Sequence, residues 1–227
     1  MQKNETLQFI QSFCRAHPWH GVDIGHNAPS EIQCYIEIVP TDTVKFELDK
    51  KSGLLRVDRP QKYSNYCPAL YGLIPQTYAG KRVGDYCSKK SKRKGIHGDM
   101  DPLDICILTE KPILRGDIMV TVVPIGGIRA IDGNEADDKI LAVLKDDLVY
   151  KNIQDITDCP DNLVDRLIHY FLTYKESPED LLGQGERRLE IVGTYGKKEA
   201  HEIIKLSQED YDDEFPGMRQ KLASINQ

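Results

Sequence analysis

Cys34-Tyr35-Ile36-Glu37-Ile38, then Val44-Lys45-Phe46-Glu47-Leu48-Asp49, Lys51-Ser52-Gly53 and Leu54-Leu55-Arg56-Val57, form one readable block. Ile36 and Ile38 alternate with Tyr35 and Glu37, and Val44, Phe46 and Leu48 alternate with Lys45, Glu47 and Asp49. A period of two sends successive side chains to opposite faces of a strand, so these are half-buried strands. Lys51-Ser52-Gly53 is a turn signal, and Val44 to Leu48 is expected to pair with Leu54 to Val57 as a hairpin. Glu37, Lys45 and Glu47 then share the face opposite the apolar residues, which puts carboxylates and a cation on one surface.

Further strands are expected at Asp104 to Leu108, Ile118 to Pro124 and Ile140 to Leu144. Several short strands with polar turns suggest a small barrel or sandwich. Leu163, Leu167, Ile168 and Phe171 have helical spacing through Lys175, after a start signal at Asp158 to Asp161. Leu189 to Val192 reads as a strand and Lys197 to Leu206 as a second helix, followed by an acidic stretch. Glu5 to Arg15 carries Phe9, Ile10, Phe13 and Cys14 at helical spacing, with Asn4 or Thr6 as a cap. The organisation expected is an N-terminal helical extension at 1–30, one barrel domain at 31–216 and a polar C-terminal tail at 217–227. Lys89, Lys90, Lys92, Arg93 and Lys94 give 81–97 the composition of a basic loop insertion, solvated rather than a nucleic-acid patch.

A chain of 227 residues fits one domain. Charged residues reach 29%, and no apolar run approaches the roughly 20 residues of a membrane span. Met1 to Ala16 shows no secretory pattern, so a cytoplasmic location and no membrane partner are expected. Six cysteines without a C-x-x-C pair predict neither a structural disulfide nor a zinc site. The net charge of -6 argues against a nucleic-acid or general polyanion binder, although a phosphate site can be locally basic in an acidic protein.

Gly98-Asp99-Met100-Asp101-Pro102-Leu103-Asp104 places three carboxylates immediately before an apolar strand. They repel one another unless cations lie among them, and such hard oxygen donors suit Mg²⁺, Mn²⁺ or Ca²⁺ rather than zinc. The spacing alone is modestly specific, since at this aspartate content it arises by chance roughly 0.2 times per chain. An EF-hand is excluded because Asp104 stands where glycine is needed. A P-loop is missing, and Gly183-Gln184-Gly185 lacks the third glycine of a dinucleotide loop. Asp132, Asp137 and Asp138, followed by Lys139, form a second acidic cluster between strands. Alone it reads as a polar turn, but beside the first cluster it becomes a second set of carboxylates. Arg59, Tyr71, Tyr174 and Lys175 would complete a basic and phenolic wall, although singly each reads as a solvated cation or a core phenol.

These residues, in this order, resemble the soluble family I inorganic pyrophosphatases. The likeness runs from Tyr35 to Lys175. It rests on Tyr35-Ile36-Glu37-Ile38, Lys45-Phe46-Glu47, Gly53 to Arg59, Tyr71-Gly72, Asp99 to Asp104, Asp132 to Lys139 and Tyr174-Lys175. The resemblance implies an α+β fold: a distorted five-stranded OB-like β-barrel with flanking α-helices and the site at its open end. It also implies Mg²⁺-dependent hydrolysis of pyrophosphate to two phosphates, with several ions bound and Mn²⁺ as a substitute. Asp99, Asp104, Asp132 and Asp137 would be metal ligands, with Glu37 and Glu47 in or near the same shell. Lys45, Arg59, Tyr71, Lys139, Tyr174 and Lys175 would hold phosphate, and Asp101 would take the proton of the attacking water. A homo-oligomer is implied, a hexamer in preference to a dimer. Cys67 departs from the usual aromatic and Met100 from the usual small residue, and neither removes a charge. The competing readings are an OB-like polyanion-binding module and a metal-dependent phosphatase of another phosphoanhydride.

Overall fold

Alternating and unbroken apolar runs both become strands, and the pairing of five of them closes a ring. The computed structural model describes residues 14–182 and 189–225. In chain order the strands are β1 (Ile32–Ile38), β2 (Val44–Leu48), β3 (Leu55–Pro60), β4 (Leu70–Leu73), β5 (His97–Gly98), β6 (Asp104–Leu108), β7 (Ile118–Asp132), β8 (Glu135–Ala136), β9 (Lys139–Leu144) and β10 (Leu189–Gly196). Hydrogen bonding runs β1-β4-β6-β9-β7, and β7 returns to β1, so five strands form an irregular barrel. β6 and β9 are parallel neighbours, while the other ring pairs are antiparallel. β2 and β3 stand apart as the expected hairpin, a separate two-stranded sheet.

Irregular closure has local causes. The register slips between Ile36 and Ile38 on β1, which leaves Glu37 as the extra residue of a bulge, and again between Pro124 and Gly126 on β7. Such bulges bend a strand and re-aim a side chain. Gly72 permits the close approach of β4 to β1, because a Cβ there would lie 1.9 Å from the carbonyl oxygen of Tyr35. β6 and β9 are buried on both faces. Ile105, Ile107, Ile140 and Ala142 enter one core cluster, and Cys106, Leu108, Leu141 and Val143 enter the other. This explains their unbroken apolar sequences.

The helices are α1 (Lys81–Ser91), α2 (Asp161–Thr173), α3 (Pro178–Leu181), α4 (Lys197–Glu214) and α5 (Met218–Ile225). α2 covers the second core cluster with Leu167, Tyr170 and Phe171, and α1 and α4 cover the first with Val83, Cys87, Ala200, Ile203 and Ile204.

Two expectations are corrected. Lys81–Ser91 is a helix within the stretch read as a basic loop insertion at 81–97: Val83, Gly84 and Cys87 face the core, while Lys90 and Arg93 pair with the distant Glu199 and Glu190. Lysine-rich composition hid a narrow apolar stripe. The segment read as a polar tail at 217–227 forms a helix over Met218–Ile225. The helix expected at Glu5 to Arg15 lies almost wholly outside the described residues. All six cysteines are free thiols, Cys14 exposed and the rest buried, and burial pushes the Cys67 thiol up to about 12. Among the described residues no helix is long and apolar enough to cross a membrane.

Candidate active site

Asp104 and Lys139 begin the parallel neighbours β6 and β9 and are direct register partners. Partners across a sheet point to the same face, so the Lys139 ammonium meets the Asp104 carboxylate at 2.5 Å. Asp137, two residues before Lys139, lies on the same side and pairs with the same ammonium. Asp138 alternates to the back of the strand, where it meets Arg129 at 3.3 Å. Burial works against charge on Lys139, which is 2% exposed, yet Asp104 and Asp137 hold its pKa well above the ordinary lysine value.

The Asp99–Asp104 loop is zipped onto the chain before α1. The amides of Met100 and Leu103 donate to Ala79 O (3.1 Å) and Thr77 Oγ1 (3.0 Å), and the Asp101 carbonyl accepts from the Ala79 amide at 2.8 Å. Gly98 makes this contact possible, since a Cβ there would stand 1.9 Å from Ala79 O. Asp99 Oδ1 accepts from the Asp101 amide at 3.0 Å. Burial lifts Asp99 to about 8, with help from Asp104 and Asp137.

From the other side, bulged Glu37 turns its carboxylate toward β2 and accepts from the Leu48 amide at 2.7 Å. Burial pushes Glu37 up to about 8 despite that hydrogen bond, with Asp104 adding to the rise. Lys45 and Arg59 are register partners in the hairpin, and the bulged Asp58 between them binds both, at 2.9 and 2.6 Å. Lys45 also approaches Glu47 at 3.9 Å. Lys175, just beyond α2, pairs with Asp132 at 2.6 Å. Beside it Tyr174 is buried, with Arg59 and Lys175 lying 5.8 and 5.4 Å from its ring centre. Tyr71 sits against Phe171 on α2, 6.1 Å between ring centres, and burial raises its phenol well above the ordinary value.

The fold brings all thirteen residues singled out from the sequence to one cleft of about 280 Å³. Three charged groups escaped that reading. Lys50 reaches the cleft from the hairpin turn, Glu135 lines it from β8, and Asp58 orients Lys45 and Arg59. Turn composition pointed the first two toward solvent, and only the charge of Asp58 inside a strand gave a signal.

Eight carboxylates and five cations line the cleft. Among the described residues no three acidic, His or Cys side chains converge as a ready-made ion cage, because lysine ammoniums stand between the carboxylates. The donors still fit Mg²⁺, which takes oxygen ligands, keeps several waters and is commonly held by one or two carboxylates. Burial is the main reason Glu37 and Asp99 rise to about 8, and the smaller push from their neighbours Asp104, Asp137 and Glu47 is the part that a cation would relieve.

The protein family described as inorganic pyrophosphatase matches residues 34–212. The inorganic pyrophosphatase of Chlamydia trachomatis serovar L2 is 58% identical over 196 residues, 86% of this chain and 94% of that protein. Soluble inorganic pyrophosphatase 3 of Arabidopsis thaliana is 34% identical over 196 residues, 86% of this chain and 79% of that one. The crystal structure of inorganic pyrophosphatase from Thermus thermophilus aligns with a TM-score of 0.70 and 26% identity, covering 86% of this chain and 99% of that chain. With the residues of one charged cleft, an OB-like ring and these relatives all in agreement, the chain belongs to the inorganic pyrophosphatase family.

Proposed function

We propose that the 31–216 domain hydrolyses pyrophosphate to two orthophosphates, using several Mg²⁺ ions, with Mn²⁺ as a substitute. The observation that carries this reading is the mixed charge of one small cleft, eight carboxylates facing five cations in about 280 Å³. Pockets for drug-sized ligands run from roughly 300 to 1,000 Å³, so this one suits a small, highly charged ligand. When bound, Mg²⁺ neutralises phosphate charge and makes water more acidic. The ions are assigned to Asp99, Asp104, Asp132 and Asp137, with Glu37 and Glu47 beside them.

Lys45, Arg59, Lys139 and Lys175 hold phosphate oxygens by charge-assisted hydrogen bonds, and Arg59 offers a planar fork for two of them. The phenolic hydroxyls of Tyr71 and Tyr174 donate to phosphate oxygens. Water attacks one phosphorus, its proton passes to Asp101, and the bridging P–O bond breaks as the second phosphate leaves with the bridging oxygen. Lys139 and Lys175 compensate the charge that collects on the departing group.

The test is phosphate release from pyrophosphate with Mg²⁺, compared with ATP and a phosphomonoester. Pyrophosphate should be turned over at least 100-fold faster than either, and equal rates on ATP would replace this reading with a broader phosphatase. We propose further that the enzyme is cytoplasmic and homo-oligomeric, a hexamer rather than a dimer. The exposed Leu54, Val57, Leu148 and Val149 supply apolar surface for contact between copies. Sedimentation at several concentrations distinguishes hexamer, dimer and monomer by mass.

A further inference from the structure

Four of the five cations in the cleft come from strands or from the end of α2, and the fifth, Lys50, comes from the turn between β2 and β3. That turn is tightly tied. Asp49 Oδ1 accepts from the amide and hydroxyl of Ser52 at 2.8 and 2.6 Å, and the Gly53 amide donates to Asp49 O at 2.8 Å. The N-terminal segment clamps it from outside. His17 Nδ1 accepts from the Trp19 amide at 3.2 Å, which leaves the proton on Nε2, 3.1 Å from the Lys50 carbonyl oxygen. His17 lies outside the part of the chain matched by the family, 34–212. The backbone of Lys50 is therefore fixed while its side chain, 47% exposed, spans to Asp101 and pairs with Oδ1.

This pairing places a cation on the carboxylate assigned to accept the proton. An exposed lysine–carboxylate pair is weak and readily exchanged. Pyrophosphate brings three to four negative charges into the same cleft, and at equal distance attracts an ammonium more strongly than one carboxylate does. A lysine ammonium is a point charge with three donors on a flexible stem, suited to changing partners.

We propose that Lys50 is a catalytic residue that contacts substrate: its ammonium rests on Asp101 in the free enzyme and passes to a phosphate oxygen when pyrophosphate fills the cleft, leaving Asp101 free to accept the proton. The assignment rests on the pyrophosphate reading given above. It makes the hairpin turn, and through His17 the N-terminal segment, part of substrate recognition.

The test is steady-state kinetics with pyrophosphate at saturating Mg²⁺ on wild type, Lys50→Met and Lys50→Arg, each also combined with Asp101→Asn. Lys50→Met should lower kcat/KM about tenfold, mainly through a higher KM, and Lys50→Arg should recover most of the loss. The KM effect should persist in the Asp101→Asn background, because the lost contact is with substrate. An unchanged KM in Lys50→Met would overturn the proposal. So would an effect confined to kcat that disappears with Asp101→Asn, since Lys50 would then only position Asp101. A wild-type chain that releases no phosphate from pyrophosphate would remove the underlying reading as well, an outcome distinct from either.

Discussion

Asp99, Asp101 and Asp104 lie within six residues and have three different surroundings. Burial lifts Asp99 to about 8, Asp104 shares the Lys139 ammonium, and Asp101 faces the movable Lys50. Asp101→Asn keeps the shape and removes the proton acceptor, so turnover should fall by roughly 10² to 10⁴ fold while metal affinity changes little. Asp104→Asn should instead weaken cation binding and be partly rescued by added Mg²⁺. Mg²⁺ titrations of both variants check this, and near wild-type turnover of Asp101→Asn at saturating Mg²⁺ would make Asp101 a ligand instead. The backbone at Met100 is left-handed (φ 64°) and its side chain points out to solvent, which gives a physical reason for a small residue being usual there. Cys67 departs from the usual aromatic without reaching the cleft, because it is buried in the core covered by α2.

At the scale of elements, α1 depends on a carboxylate borrowed from α4. Asp210 accepts from the amides of Gly80, Arg82 and Val83, each at 3.1 Å, and from the Arg82 guanidinium at 3.0 Å. The orphan amides of Arg82 and Val83 are thus satisfied from outside the helix, while the Gly80 amide is shared with the Tyr78 carbonyl oxygen at 3.0 Å. The same stretch, through Ala79, holds the Asp99–Asp104 loop. Asp210→Ala should cost about 2–4 kcal/mol of stability, because it leaves several part-buried donors unpaired. Urea denaturation measures this, and a loss below about 0.5 kcal/mol would show that α1 needs no cap from α4. Activity should fall as well, since the loop loses its support.

For the whole molecule, the charge crowded at one end of the barrel couples stability to pH and to metal. Glu37 and Asp99 titrate at about 8 in the folded chain, far above ordinary carboxylates. Between the ordinary carboxylate range and about 8 the folded state therefore binds more protons than the unfolded one, and stability falls as pH rises through that window. His20 acts in the opposite sense. Burial lowers it to about 4, so its contribution grows with pH and is complete by about 6.5. Above that the carboxylates dominate, and a cation must displace their protons to bind. The thermal midpoint in chelator should drop from pH 6.5 to 8.5, and the gain on adding Mg²⁺ should be larger at pH 8.5. Equal Mg²⁺ gains at the two pH values would refute the coupling. Alternation of apolar residues determined β1 and the hairpin strands, because period two survives any tertiary arrangement that buries one face. Unbroken apolar runs marked β6 and β9, whereas the four-residue β4 (Leu70–Leu73) is too short to show a period and escaped the sequence. The carboxylate spacings pointed to the acidic residues of the cleft, while the full set of thirteen, with its four cations and two phenols, came from the resemblance of these residues in this order to the pyrophosphatase family. Only the tertiary structure decided that Lys81–Ser91 is a helix, because the carboxylates that neutralise and cap it come from Glu199, Glu190 and Asp210, more than ninety residues away. The tertiary structure also decided that Lys50 enters the cleft and that Asp138 turns its back on it. Both depend on register and on contacts between distant segments, which no local pattern encodes.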